Sequence, residues 1–218
     1  MTSRTTDPVA FEIGESDRAL GTATIYEAND QKGALDPGIR QIVPGLSMMG
    51  RALTVLSSPG DNLTLHAAVA QAKPGDVIVA NVGNYDFVGH WGEILAVAAQ
   101  ARGVAGLVIN GAVRDVEPMA RHGFPCFATA ACMGAPAKKR LGTINEVIVI
   151  GDVVVEPGDL VCGDGDGVVV VPQARAAEVL KLSREREEKE AGIMERLQSG
   201  ELTIDILGLR ESVQQAWT

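Results

Sequence analysis

The chain is poor in aromatic residues, cysteine, histidine and positive charge, and each shortage narrows what it can be. Aromatics make up 4% of its 218 residues, so Val, Ile, Leu and Ala must fill the interior. Cys126, Cys132 and Cys162 are an odd number of cysteines with no zinc-like spacing. They are therefore read as buried, reduced thiols rather than a disulfide framework or a metal knot. The leading MTSRTTDPVAFEIGES lacks the apolar core of a signal peptide, so the expected location is cytoplasmic. His66, His90 and His122 stand apart in the sequence, with no HExxH and no Cys-His cluster, which argues against zinc. For His90, a surface-loop position is expected. Lys and Arg number 19 against 28 Asp and Glu, a formal charge of −9. A nucleic-acid surface needs clustered cations, so none is expected. No apolar run approaches the length of a membrane span.

What is present is a core of α/β character. Residues 76–82 (DVIVANV), after a Pro-Gly turn, read as a buried strand. A polar loop follows over 83–90. Residues 93–102 place Ile94, Leu95, Ala98 and Ala101 at helical spacing, with Gly103 just past the end. Residues 104–109 (VAGLVI) read as a second buried strand, and Asn110-Gly111 as a turn. Strands joined by a helix in this way are parallel, and ligands bind in the crevice at their carboxyl edge. The helix start at Gly92, Glu93, Ile94 and Leu95 offers unpaired N–H groups to an anion. Arg114 and Asp115 follow the second strand at the same edge. An anion cradle, one fixed cation and two carboxylates suit a small carboxylate-bearing substrate with a divalent metal. The competing reading is that these charges only cap a loop and a helix.

Around this unit, residues 1–15 read as a loose tail and 16–218 as one domain. Helices are expected over 22–29, over 62–73 with Asp61 as N-cap and Leu63, Ala67 and Ala70 on one face, and over Val116–His122. Strands are expected over 51–56 and 124–128. Beyond residue 143, short β-rich runs at 146–150, 153–156, 160–162 and 168–171 alternate with Gly/Asp/Pro turns, which suggests hairpins. The GDGDG run over 163–167 joins two of these strands. A nucleotide loop would join a strand to a helix, so a hairpin turn is the better reading and a methyltransferase is not supported. Gln173–Gln198 is a long charged helix ended by Gly200. Its RERE-EKE run reads first as a solvated face with i,i+4 pairs. No lysine sits in an apolar strand, which leaves a Schiff-base mechanism without a candidate.

The pattern Glu93, twenty residues, then Arg114-Asp115 resembles the acidic-x20-Arg-Asp signature of the class II 4-hydroxy-4-methyl-2-oxoglutarate aldolase family. That family is related to the regulator of ribonuclease activity A proteins. The flanks WGEILAVAAQARGVAGLVINGAVRDVEPM, GFPCFA and PGDLVCGDGDGVVVVP resemble it too, over about residues 21–200. The resemblance implies a swivelling β/β/α fold, a mixed sheet with a parallel core and antiparallel C-terminal hairpins. It also implies trimers or hexamers with sites between subunits. It implies a divalent-metal-dependent pyruvate aldolase that cleaves 4-hydroxy-4-methyl-2-oxoglutarate or a related 4-hydroxy-2-oxo acid to pyruvate, with oxaloacetate decarboxylation through the same enolate. Gly92, Glu93, Ile94 and Leu95 would hold the substrate carboxylate. Arg114 would bind the oxygen that becomes the enolate, and Asp115 would ligate Mg2+ or Mn2+. Glu93 and a helix glutamate of a neighbouring subunit, Glu190 or else Glu187, would hold waters around the ion. Two departures stand out: Glu93 where characterised aldolases commonly have Asp, and Pro118 where some carry an acid. Ribonuclease-regulator relatives commonly have Gly at the position of Glu93, so its presence favours catalysis. The alternative is a non-catalytic protein that inhibits a ribonuclease or helicase.

Overall fold

The computed structural model of the chain describes residues 11–217. Most of the expected N-terminal tail, 1–10, lies outside the described residues. The chain is already held at Phe11, which is buried beneath the Arg51 guanidinium, 4.7 Å from ring centroid to Cζ. After a 3-10 turn at Ser16–Ala19, the elements are α1 (Thr22–Ala28), β1 (Arg40–Gln41), β2 (Met48–Leu56), α2 (Leu63–Gln71) and β3 (Asp76–Tyr85). Then come α3 (Glu93–Ala101), β4 (Gly106–Val113), α4 (Val116–His122), β5 (Cys126–Ala131) and β6 (Thr143–Ile144). The chain continues through β7 (Ile148–Ile150), β8 (Val153–Val155), β9 (Leu160–Asp164) and β10 (Gly167–Val171). It closes with α5 (Gln173–Gln198), α6 (Thr203–Ile206) and α7 (Arg210–Ala216).

One mixed sheet organises the domain, in the order β1-β5-β4-β3-β2-β9-β10, with β6 on the end of β2. Its centre, β2-β3-β4-β5, is parallel, because α2, α3 and α4 make the crossovers. Its flanks are antiparallel, and β7-β8 form a separate hairpin. The expected α/β fold with a parallel core and antiparallel C-terminal hairpins is therefore present. The GDGDG run is the β9–β10 turn, with Asp164 paired to Gly167.

Period-two alternation divides each strand between two faces. Leu53, Val55, Ile78, Leu107 and Ile109 pack under Leu65, Val69, Leu95 and Ala99 of α2 and α3. Ala52, Val77, Val79, Val108 and Phe127 face the opposite side, against Ile148, Ile150 and Val155 of the β7-β8 hairpin. At the antiparallel end, Leu160, Cys162, Val169 and Val171 pack under α1 and α5.

Several expectations are corrected by tertiary packing. Asn110-Gly111 is no turn; it lies inside β4, every residue of which is buried. The Asn110 carboxamide accepts the Val82 N–H (2.7 Å) and donates to Asn81 Oδ1 (2.9 Å), so it supplies bonds where the β3/β4 register slips. A Cβ on Gly111 would stand 2.3 Å from Val82. The polar loop after β3 is also shorter than expected, because the strand runs on to Tyr85. The buried stripe of α2 is Leu65, Ala68 and Val69, and that of α3 is Leu95, Ala96 and Ala99. Each is offset from the expected face, because α2 packs against α3, and α3 against α4, as well as against the sheet. Ile94 is 76% exposed. Asn62 is the N-cap of α2, although Asp61 does accept the Leu63 N–H at 2.9 Å. The short α6 and α7 have no counterpart in the sequence reading.

Candidate active site

The carboxyl ends of β3 and β4 deliver the predicted residues to one place. At the tip of β4, Val113 bridges Trp91, and the Arg114 N–H donates to the Trp91 carbonyl at 2.8 Å. This ties the start of α3 to the segment carrying Arg114 and Asp115. Asp115 is the N-cap of α4 and sits in the left-handed region, φ 57°, ψ 43°. That conformation is uncommon outside glycine and marks a locally over-determined backbone. From there its Oδ2 reaches back to accept the Glu93 N–H at 3.1 Å and stands 3.5 Å from Arg114 Nε. Gly92 lies directly beneath: a Cβ there would meet Asp115 Oδ2 at 2.4 Å, Arg114 Cγ at 3.0 Å and Arg114 Nε at 3.2 Å. Residues 92, 93, 114 and 115 thus converge as the sequence predicted.

The helix tip is partly committed. The Glu93 N–H is taken by Asp115, and the first helical bond runs from the Ala96 N–H to the Gly92 carbonyl at 3.0 Å. Among the described residues, the Ile94 and Leu95 N–H groups have no acceptor. They line a recess of about 60 Å³ together with Gly92, Arg114 and Asp115. Arg114 and Asp115 also form one wall of a wider cavity of about 350 Å³ bounded by Glu117, Cys132 and Met133.

The Glu93 carboxylate turns toward α4, where Oε1 lies 3.0 Å from His122 Nε2. His122 is therefore not isolated. Nor is His90 a surface residue: it is fully buried at the base of the recess. Its Nε2 accepts the Gly60 N–H at 3.1 Å, which requires the neutral ring, and Nδ1 faces the Ala112 carbonyl at 3.4 Å. Burial holds its pKa below the usual histidine value, against the raising effect of that carbonyl and nearby acids. Asn62, His66 and Lys138 complete the recess. None of these was legible as a site residue, because they come from a helix cap, a helix face and a distant loop. Glu190 pairs with Arg186 at 2.8 Å, and Arg186 also pairs with Glu27 on α1. Within one chain, neither Glu190 nor Glu187 lines the recess.

Among the described residues, no group of three or more His, Cys, Asp or Glu side chains is placed to hold a metal ion. The donor set fits a smaller demand. Asp115 is 38% exposed on its side chain, and the bonds it makes within the chain all go to Oδ2. A free carboxylate oxygen suits a hard divalent cation whose remaining positions are filled by water and substrate oxygens. No described helix is long and apolar enough to cross a membrane.

The family model described as Aldolase/RraA matches residues 22–170. A protein of Halalkalibacterium halodurans, provisionally named 4-hydroxy-4-methyl-2-oxoglutarate aldolase, is 34% identical over 170 residues, covering 78% of this chain and 81% of its own. A solved structure of an uncharacterised protein from Pseudomonas syringae superposes with a TM-score of 0.79 at 34% identity, covering 89% of this chain and 95% of that one. The RNA-processing inhibitor RraA of Thermus superposes with a TM-score of 0.63 at 26% identity, over 70% of this chain and 92% of that one. The chain belongs to the RraA-like, aldolase/RraA family.

Proposed function

We propose that the chain is a divalent-metal-dependent lyase that releases pyruvate from 4-hydroxy-4-methyl-2-oxoglutarate or a closely related 4-hydroxy-2-oxo acid, and that it also decarboxylates oxaloacetate. The observation that carries this reading is the convergence of Arg114 and Asp115 on the α3 tip, close enough that a single methyl group on Gly92 would collide with both. The substrate carboxylate lies on the unpaired Ile94 and Leu95 N–H groups, where the helix dipole favours an anion. Asp115, supported by the Glu93 N–H, would hold Mg2+ or Mn2+, and such an ion, when bound, would supply Lewis-acid polarisation of the 2-oxo group. Glu93, paired with His122, and Glu190 or else Glu187 of a neighbouring subunit in a trimer or hexamer would order the surrounding water.

In the lyase step the C3–C4 bond breaks and its electron pair passes to C3, delocalised onto the 2-oxo oxygen as an enolate. The 4-hydroxyl gives up its proton and becomes a carbonyl. Protonation of C3 then yields pyruvate. With oxaloacetate the same bond breaks, and carbon dioxide leaves. Arg114 donates to the 2-oxo oxygen, and this charge-assisted bond strengthens as negative charge develops there.

The test is to incubate purified protein with oxaloacetate and with 4-hydroxy-4-methyl-2-oxoglutarate, each with Mg2+, Mn2+ or EDTA, and to follow pyruvate. Metal-dependent release supports the reading, and none from either substrate refutes it. The structural likeness to the Thermus RNA-processing inhibitor supports a second reading, a non-catalytic regulator of a ribonuclease or helicase. That reading predicts no turnover and inhibition of such an enzyme.

A further inference from the structure

A second cavity lies at the opposite edge of the sheet from Arg114 and Asp115. β9 runs antiparallel to β2, with Gly163 beside Met48 at the start of β2. The β9–β10 turn therefore sits at the amino edge of the parallel strands, whereas the candidate active site follows their carboxyl ends. The cavity opens between this turn, α1 and the segment from Ala34 to Arg40, and its volume is about 390 Å³. Small-molecule pockets run from roughly 300 to 1,000 Å³, so it is large enough to hold a compact organic molecule.

Its floor is apolar and its charges are unneutralised. Leu35, Ile39, Val168 and Val169 supply buried aliphatic side chains. Arg40, on β1, and Asp166, in the β9–β10 turn, line the same cavity and are exposed. Among the described residues, neither side chain has a hydrogen-bond or ion-pair partner, and the two do not pair with each other. The neighbouring carboxylates, by contrast, are already engaged. Asp164 Oδ1 accepts the Thr22 hydroxyl (2.6 Å) and the Asp166 N–H (2.9 Å), and its Oδ2 accepts the Thr22 N–H (2.8 Å). Asp36 Oδ1 accepts the Gly38 N–H at 2.6 Å. The Leu35 N–H donates to the Val168 carbonyl (2.9 Å) and the Val170 N–H to the Gly33 carbonyl (2.8 Å). These bonds tie the turn to α1 and the segment before β1 to β10, so both charges are mounted on fixed walls.

One unpaired cation and one unpaired anion above an apolar floor select a ligand that carries both charges and an apolar group. A simple carboxylate would satisfy Arg40 but confront Asp166, and like charges brought together cost affinity. A simple amine would meet the converse problem at Arg40. A zwitterion satisfies both through charge-assisted hydrogen bonds. We infer that this cavity binds a free α-amino acid with an apolar side chain. Arg40 pairs its carboxylate, Asp166 pairs its ammonium, and its side chain lies on Leu35, Ile39, Val168 and Val169. This site is independent of the lyase reading and of the residues that carry it.

The test is calorimetric titration of the full chain with L-leucine, L-phenylalanine, glycine, N-acetyl-L-leucine and L-leucinamide. Leucine or phenylalanine should bind. Glycine keeps both charges without the side chain, N-acetylleucine lacks the ammonium, and leucinamide lacks the carboxylate. Each of these three should bind at least about tenfold more weakly than leucine. Arg40→Gln should weaken leucine binding at least about tenfold and leave leucinamide binding unchanged, because that ligand has no carboxylate to lose. Asp166→Asn should weaken leucine binding by a similar factor and leave N-acetylleucine binding unchanged or tighter. Both side chains are exposed, so neither change disturbs the core. Absence of leucine and phenylalanine binding would overturn the assignment. So would an analogue that binds as tightly as leucine, or a leucine affinity that both charge variants leave untouched. Loss of leucine binding in Arg114→Ala would also overturn it, since the ligand would then lie in the active site.

Discussion

Replacing Gly92 by alanine separates the site from the fold. Gly92 is fully extended, φ −159°, ψ −167°, a conformation any residue adopts, so alanine introduces no backbone strain. The added methyl would lie 2.4 Å from Asp115 Oδ2. To regain an ordinary contact of about 3.5 Å the carboxylate must retreat by about 1 Å. It has room to do so, since its side chain is 38% exposed. The retreat breaks the 3.1 Å bond to the Glu93 N–H, which costs about 1 kcal/mol, or about 2–4 °C in thermal midpoint for a chain of this size. A misplacement of about 1 Å at reacting groups costs roughly a hundredfold in rate. The expected outcome is a folded protein, melting within a few degrees of wild type, whose kcat/KM for pyruvate release is down about a hundredfold. Thermal melting and coupled pyruvate assays on the same preparation decide it. A folded Gly92→Ala variant within about threefold of wild-type activity would refute the view that Arg114 and Asp115 work from their positions over Gly92.

Arg114→Ala removes the proposed donor to the developing enolate and should raise the barrier to turnover by about 3 kcal/mol, a hundredfold or more in kcat, with little change in stability; activity within a few-fold of wild type counts against its role. Asp115→Asn keeps a residue that tolerates the left-handed backbone, so it should fold normally yet lose divalent-ion binding by calorimetry. Unchanged heats of Mg2+ or Mn2+ binding would reject Asp115 as the ligand. His66 and His90 both have folded-state pKa values below their ordinary value, so the unfolded chain takes up protons first. Their stabilisation is complete above about pH 6.5 and is lost as pH falls through the folded-state values. Asp61 adds to this at lower pH: three backbone N–H groups outweigh its burial and hold its carboxyl below the ordinary range, and that contribution disappears as the group protonates. Urea midpoints should therefore decline from pH 7 to 5, less steeply in His90→Gln, and a flat profile would contradict the buried neutral histidines. Burial pushes the Cys126 thiol up to about 12 and raises Cys162 as well, whereas Cys132 is only half-buried. A thiol reagent should label Cys132 first in the native protein, and rapid labelling of Cys126 would contradict the packing.

The sequence made the central unit legible because its signals are local. Apolar runs mark β3 and β4, and Gly103 marks the end of α3. The Gly92–Leu95 start and the Arg114-Asp115 pair follow parallel strands whose carboxyl ends must lie side by side. The hairpin around 163–167 and the full extent of α5 were equally readable, since turn residues and helical periodicity act over a few positions. Asn110-Gly111 misled because the usual meaning of that dipeptide was overridden by a register slip that only the neighbouring strand imposes. The buried faces of α2 and α3 were misjudged for a related reason: each packs against a neighbouring helix as well as the sheet, which shifts its buried stripe.

By itself, then, the sequence determined the alternation of strands and helices and the placing of one helix start beside one arginine and one aspartate. Those features depend on spacing along the chain. Tertiary structure alone decided that Glu93 would turn to His122 and that His90 would be buried and neutral. It alone brought Asn62, His66 and Lys138 together across the recess. These contacts join segments more than twenty residues apart, and no local pattern carries information about which distant backbone will come to lie beside them.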